Sequence, residues 1–382
     1  MKNTSKHKKI AMIGHKRIPS REGGVEIVVD ELSSRLVKKG YEVDAYNRSG
    51  YHVSGRQYDE KRGKVYKGIR LITIPTFKNK KLNAIVYSFL ATIRALFGRY
   101  DVIHYHAEGP CVMLWIPKLF GVRVIATIHG LDWQRSKWGN FASRVLKLGE
   151  KVAAKYADEI IVLSKNVQDY FSEVYHRKTV YIPNGVNRPE QYAPEIIKEK
   201  YGLDGEDYIL FVARIVPEKG IHYLIQAFYG IKTDQKLVIA GGSSHSPVYR
   251  DKIRSMAEKD SRIILTGFVQ GKELAELYSN ASVFVLPSDV EGMAISLLEA
   301  MSYGNCCLVS DIDENVEVTL DKAETFQHGN TKDLQTKLKM LLENDEKREE
   351  YKKMSQEYIC SKYSWDKSVG QTIRLYEKRD VK

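Results

Sequence analysis

Strand-like and helix-like segments alternate along nearly the whole chain, and this alternation restricts its fold more than any other feature. Short apolar runs are each followed by a longer segment with helical periodicity. Such a pattern is typical of α/β domains, in which helices connect the parallel strands of one sheet. The predicted strands are 9–14, 42–46, 69–74, 101–105, 122–128, 158–163, 178–182, 207–213, 235–240, 262–266, 281–286 and 306–309. The predicted helices are about 24–39, 82–98, 111–120, 139–156, 165–173, 218–230, 247–260, 271–279, 292–303, 331–343 and 346–361.

The chain is long enough for two domains. Its 382 residues exceed one ordinary core, and 43% of them are hydrophobic, so two cores can be buried. The segment 183–189 holds two prolines and a glycine among polar residues, as linkers commonly do. We therefore predict one Rossmann-like domain over residues 1–188 and a second over residues 189–364.

Cysteine usage and hydropathy favour a cytoplasmic protein. The spacing of the four cysteines fits neither a zinc site nor a Cys-x-x-Cys motif, which favours small core residues in a reducing compartment. These cysteines are Cys111, Cys306, Cys307 and Cys360. The basic start leads directly into a predicted strand, so we expect no signal peptide. No stretch reaches the ~20 apolar residues that a membrane-spanning helix needs.

Positive charge is concentrated in the first half of the chain. The net charge is +12, yet residues 1–190 hold 34 Lys and Arg against 17 Asp and Glu, and residues 191–382 hold 26 against 31. We expect the first half to face a membrane surface, a phosphorylated acceptor or nucleic acid. The predicted helix 82–98 is apolar with basic residues at both ends, including Lys78, so it fits either a membrane interface or a crossover over a sheet. We expect burial, with the basic ends touching lipid phosphates.

Two glutamates eight positions apart, Glu291 and Glu299, bracket an apolar run in the second half. Eight residues of helix make a little over two turns, so both carboxylates are predicted to lie on nearly the same face. A carboxylate inside an apolar helix is unfavourable unless a partner compensates it. The alternative is that Glu291 caps the helix and Glu299 meets an unrelated arginine.

Two loops resemble sites that bind phosphate or sugar. Arg214 and Lys219 follow a predicted strand and precede a helix, where free N–H groups and the helix dipole favour anions. Gly23 and Gly24 open the first helix, where missing side chains let a ligand approach the backbone. By itself, the loop of Arg214 and Lys219 is equally compatible with an ordinary solvated loop, and a lone Gly-Gly pair is most often just a turn.

Taken in order, these residues resemble the family 4 glycosyltransferases of GT-B fold, over about Lys9 to Tyr376. The motifs that carry the resemblance are Gly23-Gly24, His129 in Thr127–Gly130, Ile182–Val186, Arg214 with Lys219, and Glu291 with Glu299. The segment 130–139, with Arg135, Lys137 and Trp138, resembles members that build capsule, exopolysaccharide or O-antigen chains.

This resemblance implies two Rossmann-like domains that face each other across a cleft, with the last helix, within 365–382, packed back on the first domain. It implies a nucleotide-sugar donor, with a UDP-sugar expected, in the second domain. Arg214 and Lys219 would neutralise the departing diphosphate, and Glu299 would accept hydrogen bonds from the ribose. Further donor contacts are implied for Gly23, Gly24, Val269, Glu291, Gly292, Met293 and Ala294.

In the first domain, the resemblance places His129 at the sugar near the reacting bond and Asp132 on the acceptor side. His129, Glu291, Arg214 and Lys219 are therefore the predicted catalytic residues. His104 and His106 share one face of a strand, but a third metal ligand is not evident. Because this family works without a bound divalent metal, we expect neither a metal nor a cofactor. A Gly-rich loop common in relatives is replaced by Ser310–Glu317, so we leave Glu314 and Asn315 out of the site.

The resulting prediction is a retaining glycosyltransferase that acts in bacterial surface polysaccharide synthesis. The donor is a nucleotide sugar, the acceptor is a polyprenyl-diphosphate-linked saccharide, and the enzyme is peripheral at the anionic inner face of the cell membrane. A sugar-nucleotide epimerase or a glucan synthase of similar fold is the alternative within related chemistry. A non-catalytic nucleic-acid binder is the alternative of another class, although no basic–aromatic recognition motif supports it.

Overall fold

The computed structural model describes residues 8–51, 55, 57, 63–76, 80–134, 140–242 and 246–378. Lys78, Arg135, Lys137, Trp138 and Gly139, which the sequence analysis singled out, lie outside these ranges. The chain divides into two compact units, unit 1 (Met1–Asn184 with Trp365–Lys382) and unit 2 (Gly185–Ser364). This division falls a few residues before the boundary predicted at residue 188.

Each unit is built on one sheet. The strands of unit 1 are β1 (Lys9–Ile13), β2 (Glu42–Arg48), β3 (Val65–Tyr66), β4 (Ile69–Ile74), β5 (Val102–His106), β6 (Arg123–Ile128), β7 (Glu159–Val162) and β8 (Val180–Tyr181). The strands of unit 2 are β9 (Tyr208–Val212), β10 (Lys236–Ala240), β11 (Ile263–Gly267), β12 (Val283–Leu286), β13 (Cys307–Ser310) and β14 (Glu324–Phe326).

The helices lie between these strands. They are α1 (Gly24–Lys38), α2 (Lys80–Leu96), α3 (Glu108–Cys111), α4 (Trp115–Leu119), α5 (Asn140–Tyr156), α6 (Lys165–Tyr175), α7 (Ile196–Tyr201), α8 (Ile221–Tyr229), α9 (Pro247–Ala257), α10 (Gly271–Ser279), α11 (Ile295–Ser302), α12 (Asp313–Thr319), α13 (Thr331–Leu342), α14 (Asp345–Lys362) and α15 (Trp365–Glu377). The alternation of strands and helices predicted from the sequence is therefore confirmed.

Both sheets have the strand order of doubly wound α/β domains. In unit 1 the order is β3-β4-β2-β1-β5-β6-β7-β8, and in unit 2 it is β11-β10-β9-β12-β13-β14. The paired strands run parallel, apart from the antiparallel pair of β3 and β4. In each unit the strands are added first on one side of the initial strand and then on its other side. This change of side occurs at β1 in unit 1 and at β9 in unit 2. Ligands of such sheets bind at the carboxyl ends of the strands at these switch points.

Alternate residues of β1 enter cores on opposite faces of the unit 1 sheet. Ala11 and Ile13 belong to a core that also holds Tyr87 of α2 and Ala153 of α5. Ile10 and Met12, with other buried residues, belong to a core covered by α1 and α15. Helix α15 is fixed in unit 1 by Ser368, whose hydroxyl donates to the carbonyl of Pro183 at 2.7 Å.

Several short elements differ from the sequence prediction. The predicted helix 111–120 is shortened to α4 (Trp115–Leu119), and α3 ends at Cys111, where the predicted helix begins. Pro117, in the first turn of α4, lacks the N–H that would bond to the carbonyl of Met113 in a continuous helix. The predicted helix 218–230 begins at Ile221, since Gly220 at φ +65° separates it from a 3₁₀ turn over Pro217–Lys219. The short elements β3, β14, α7 and α12 were not predicted because two to seven residues carry too little periodicity.

None of the helices in the described residues combines the length and apolar character that a membrane-spanning helix requires.

Candidate active site

The carboxyl ends of β9 and β12 carry two loops that pack directly against each other. Val283 of β12 pairs with Ile209 of β9 in parallel, so both strands end at the same edge of the sheet. A Cβ atom at Gly220 would overlap the carbonyl oxygen of Pro287. The N–H of Asp289 also donates to the carbonyl of Glu218 at 2.9 Å. The two loops therefore form one rigid surface at the switch point of unit 2.

An ion pair joins these loops. The Nζ atom of Lys219, in the loop after β9, contacts Oε1 of Glu291, in the loop after β12. Only 12% of the lysine side chain and 5% of the glutamate side chain are exposed. Ser288 donates a further hydrogen bond to the same carboxylate oxygen at 2.6 Å. A charged pair this far removed from water keeps each partner in a defined position.

The helical relation predicted between Glu291 and Glu299 is wrong. Helix α11 begins at Ile295, so Glu291 lies in the preceding loop and a helical period does not connect the two carboxylates. Gly292, Met293 and Ala294 are buried in that loop instead of forming the first turn. The helix begins later than predicted because Ala294 adopts an extended conformation. The apolar run over 293–301 continues across this boundary, so the helix start could not be recognised from the sequence. Glu299 is within α11, is half-buried and accepts a hydrogen bond from the Tyr278 hydroxyl at 3.3 Å.

The remaining predicted donor residues lie on neighbouring loops of unit 2. Arg214 is half-buried and stands two residues beyond β9, where the N–H of Ile215 donates to Gly242 in the loop after β10. Val269 is buried between β11 and α10. The structure thus brings Lys219 and Glu291 into contact. Arg214 lies in the same loop as Lys219, whereas Val269 lies in the loop after β11 and Glu299 in α11.

A third loop, which the sequence analysis considered and left out of the site, braces this edge of the sheet. The hydroxyl of Ser310, the last residue of β13, donates to the carbonyl of Ser288 at 2.6 Å. Asn315 of α12 is buried and donates to the Ser310 hydroxyl at 3.1 Å. The Ser-Asp pair at the end of a late strand was the available signal. In this chain the loop after β13 is held by side-chain hydrogen bonds rather than by glycines.

Unit 1 places a group of imidazoles at the corresponding edge of its own sheet. Nδ1 of His106, at the end of β5, lies 3.1 Å from Nε2 of His129, which follows β6. His104 stacks on His106 with ring centres 4.3 Å apart. Both ring nitrogens of His104 are within 2.7 Å of protein hydroxyls, those of Tyr376 and Thr127. Since His106 positions the His129 ring, His106 joins the candidate site.

No group of three His, Cys, Asp or Glu side chains suited to a metal ion occurs within the described ranges. His104 uses both of its nitrogens for protein contacts, which leaves it a poor metal ligand.

The paired glycines precede and open α1. Gly23 has an extended conformation at the N-cap position, and Gly24 is the first helical residue. Glu26 in the first turn is buried, and its carboxylate accepts a hydrogen bond from the N–H of Lys16 at 2.8 Å. Burial opposes ionisation of Glu26, but the nearby Lys16 outweighs it together with the other contacts, and the pKa of Glu26 falls below its ordinary value. The Glu26 carboxylate, tied to the loop at Lys16, thus lies next to Gly23.

The loop that carries Asp132 depends on a buried acid. Glu108 is fully buried, and its Oε1 accepts a hydrogen bond from the N–H of Asp132 at 2.8 Å. Burial, reinforced by the charge of Asp132, raises the pKa of Glu108 well above its ordinary range. Glu108 was missed because a single glutamate in a short irregular segment gives no periodic signal.

The buried histidines of unit 1 are expected to make the folded protein less stable in acid. Burial lowers the pKa of His15 to about 4 and that of His104 to about 3, whereas an unfolded histidine titrates near ~6.5. Below pH ~6.5 the unfolded chain therefore binds more protons than the folded one, and stability falls as the pH falls towards 4. For His15 the expected loss between pH 7 and pH 5 is about 2 kcal/mol.

Urea unfolding of the wild type and of His15→Gln at pH 7 and pH 5 measures this effect. Buried acids such as Glu108 act in the opposite direction, so the difference between the two proteins isolates the imidazole. Equal pH dependence of the wild type and the variant would contradict a neutral, buried His15.

The chain also matches known protein families and individual glycosyltransferases. Residues 194–358 match the family described as Glycosyl transferases group 1, and residues 22–188 match Glycosyltransferase Family 4. An uncharacterized glycosyltransferase of Methanocaldococcus jannaschii is 26% identical over 395 residues, which cover 97% of this chain and 98% of that protein. The UDP-Gal:alpha-D-GlcNAc-diphosphoundecaprenol alpha-1,3-galactosyltransferase of Escherichia coli is 30% identical over 265 residues, covering 65% of this chain and 67% of that protein.

Among solved structures, a sucrose-phosphate synthase from Thermosynechococcus elongatus aligns with a TM-score of 0.84 over 97% of this chain and 98% of its own. The two sequences are 21% identical, so this likeness concerns the fold alone. The predicted GT-B fold class, with two parallel-sheet α/β domains, is confirmed.

Proposed function

The chain belongs to the family 4 glycosyltransferases of GT-B fold, and from this premise we propose that it transfers a sugar from a nucleoside-diphosphate donor to a lipid-linked saccharide. Because the chain belongs to this family, it is a glycosyltransferase, and the alternative of a non-catalytic nucleic-acid-binding protein is excluded. The proposal adds the donor, the acceptor, the stereochemistry and the place of action.

The observation that carries the donor proposal is the shielded pair of Lys219 and Glu291 at the switch point of unit 2. Negative charge grows on a diphosphate as its bond to the sugar breaks. An ammonium group already fixed in position, with little water around it, stabilises that charge without reorganising. Arg214 supplies a second cation nearby in the chain, and Glu299 on α11 would bind the ribose hydroxyls.

We propose that the anomeric configuration is retained. The acceptor hydroxyl attacks the anomeric carbon on the face from which the diphosphate leaves, and its proton passes to the departing phosphate oxygen. Glu291, tied to Lys219 and Ser288, is suited to orienting sugar hydroxyls rather than to attacking the anomeric carbon. His129 is a further proposed sugar contact, and the backbones of Gly23 and Gly24 are proposed donor contacts. This scheme requires no metal.

The acceptor proposal rests on two observations. The E. coli relative is named for a diphosphoundecaprenol-linked acceptor. The first half of this chain has a large excess of basic residues, which favours a phosphorylated acceptor at an anionic membrane. We therefore propose that unit 1 handles a polyprenyl-diphosphate-linked saccharide, with Asp132 on the acceptor side. Under this proposal the enzyme acts in surface polysaccharide synthesis, at the cytoplasmic face of the cell membrane.

A thermal-shift panel of UDP, dTDP, GDP and ADP and of their common sugar conjugates tests the donor proposal. UDP and one UDP-sugar are expected to raise the melting temperature most, because the E. coli relative is named for a UDP-sugar. A ligand present at a hundredfold excess over its dissociation constant adds ~2.7 kcal/mol of apparent stability. Stabilisation by GDP alone would mean that the donor carries guanine instead of uracil. Absence of stabilisation by every nucleoside diphosphate would overturn the proposal.

A further inference from the structure

The last turn of α15 contacts the histidines of β5 through a buried tyrosine. The hydroxyl of Tyr376, which is fully buried, lies 2.7 Å from Nδ1 of His104. Nε2 of His104 in turn lies 2.7 Å from the hydroxyl oxygen of Thr127 on β6. Among the described residues, neither hydroxyl has a second hydrogen-bond partner. The three side chains therefore form one short chain of hydrogen bonds inside unit 1.

The phenol determines the direction of this chain. Burial raises the pKa of the Tyr376 hydroxyl well above its ordinary range, so the phenol keeps its proton. A buried O–H group without an acceptor is unfavourable, and Nδ1 of His104 is the acceptor that the described residues offer. The phenol therefore donates to Nδ1, and the neutral His104 ring carries its own proton on Nε2. Because that N–H donates to Thr127, the hydroxyl hydrogen of Thr127 needs an acceptor elsewhere.

On the neighbouring strand, one nitrogen of His106 also lacks a protein partner among the described residues. Its Nε2 atom is buried and makes no hydrogen bond there, whereas its Nδ1 atom lies 3.1 Å from Nε2 of His129. Burial lowers the pKa of His106 well below its ordinary range, so the ring is neutral and has one N–H and one acceptor nitrogen. His106 lies directly opposite Thr127 in the parallel pairing of β5 with β6. A nitrogen and a hydroxyl hydrogen that both need a partner thus occupy paired positions.

One cavity adjoins both of these groups. It has a volume of about 30 Å³, lies between α1, the sheet and α15, and is lined by His106 and Thr127. A buried water molecule needs roughly 10–15 Å³ and two to four polar partners. Ser368 and Thr372 of α15 line the same cavity. Each donates its hydroxyl hydrogen to a carbonyl, at 2.7 and 2.9 Å, and keeps lone pairs that can accept. The cavity therefore has the size and the polar atoms that one water molecule requires.

We propose that a water molecule in this cavity accepts a hydrogen bond from Thr127 and donates one to Nε2 of His106, which completes a relay of hydrogen bonds from Tyr376 to His129. His106 then has its proton on Nδ1 and donates to Nε2 of His129, so the proton of His129 is on Nδ1. The relay thus holds His129 in one neutral tautomer, with Nδ1–H as the donor to a sugar oxygen. This last step rests on the proposed function, whereas the tautomers do not. Tyr376, Thr127 and His106 are positioning residues, because they act through His129.

NMR of the full-length protein, with isotopically labelled histidine nitrogens, tests the tautomers without any substrate. The coupling between two nitrogens across an N–H···N bond identifies the pair of His106 and His129, and its loss in His129→Gln assigns the signals. The ring whose signals shift in Tyr376→Phe is His104. We expect long-range proton–nitrogen correlations to show His106 and His129 protonated on Nδ1 and His104 on Nε2. Protonation of His106 on Nε2 would reverse the direction of the relay and overturn the proposal.

Thr127→Val removes the hydroxyl at the centre of the relay. We expect a mixture of tautomers at His106 and a fall in kcat of roughly tenfold, the lower end of what loss of an orienting partner commonly costs an imidazole. Thr127→Ser keeps the hydroxyl and should restore both the single tautomer and the rate. A purely structural role for Thr127 would leave the tautomer of His106 unchanged. Initial rates of nucleoside-diphosphate release and the same NMR spectra measure these effects.

Thr92→Val is the matched control. Thr92 is fully buried in unit 1, and its hydroxyl lies 2.9 Å from that of Tyr105, which belongs to the core on the other side of the sheet. This variant loses a comparable buried hydrogen bond, so its melting temperature should fall similarly while kcat and the tautomers stay as in the wild type. Wild-type kcat in Thr127→Val, or an equal loss of kcat in both valine variants, would overturn the link to His129. If the wild type transfers no sugar, the proposed function fails, and the NMR spectra still decide the relay.

Discussion

Replacing Lys219 with alanine is expected to lower kcat by roughly 10³-fold, as removal of a preorganised group that stabilises transition-state charge commonly does. The ammonium group lies at the switch point of unit 2 and has little contact with water. It would act most strongly when the sugar–phosphate bond breaks, so kcat should fall more than the KM for the donor rises. Initial rates of nucleoside-diphosphate release with saturating acceptor measure the effect.

Lys259→Ala is the control, because Lys259 is exposed in the same unit and lies outside the site. Lys219→Ala also leaves the Glu291 carboxylate without its cation, which destabilises a buried charge. Melting temperatures must therefore be recorded for both variants. Near wild-type turnover by a well-folded Lys219→Ala protein would remove this lysine from the mechanism.

Replacing Glu291 with alanine should abolish measurable transfer while the protein remains folded. The carboxylate fixes Lys219 and accepts a hydrogen bond from Ser288, so the change removes a sugar contact and releases the lysine at the same time. We expect a fall in kcat of at least roughly 10³-fold. Glu291→Gln keeps the shape but loses the charge, and it should fall between the alanine variant and the wild type.

The two positions should also be coupled. Residues in direct contact depart from additivity, so the double variant Lys219→Ala/Glu291→Ala is expected to be little worse than either single variant. Glu258→Ala, at an exposed position near the end of α9, serves as the control for loss of a carboxylate. Strictly additive effects would mean that the ion pair is not the functional unit.

The parts of the fold that could be predicted from the sequence are those with a periodic signal. The buried strands β1 and β9 are short apolar runs, and α1 begins at the second residue of the Gly-Gly pair, so their places were clear from residue order. The positions of the loops after these strands could also be predicted, because the carboxyl ends of parallel strands lie on one edge of the sheet. Lys219 and Glu291 were therefore expected near each other, and the structure brings them into contact.

The parts that could not be predicted depend on single contacts in three dimensions. The spacing of Glu291 and Glu299 suggested one helix, yet the chain remains extended until Ile295. Nothing in the sequence indicated that Asn315 would donate to Ser310, or that Glu108 would hold the loop of Asp132. Such buried polar residues are selected by the groups that tertiary packing places beside them, and that information is absent from local periodicity.

A crystal structure of the protein with the nucleoside diphosphate that stabilises it most is the most direct test of the central claim. Our account predicts the phosphates at the switch point of unit 2, within hydrogen-bonding distance of Lys219 Nζ, with the ribose hydroxyls at Glu299. A diphosphate bound in unit 1, or at a part of unit 2 remote from the ion pair, would contradict it.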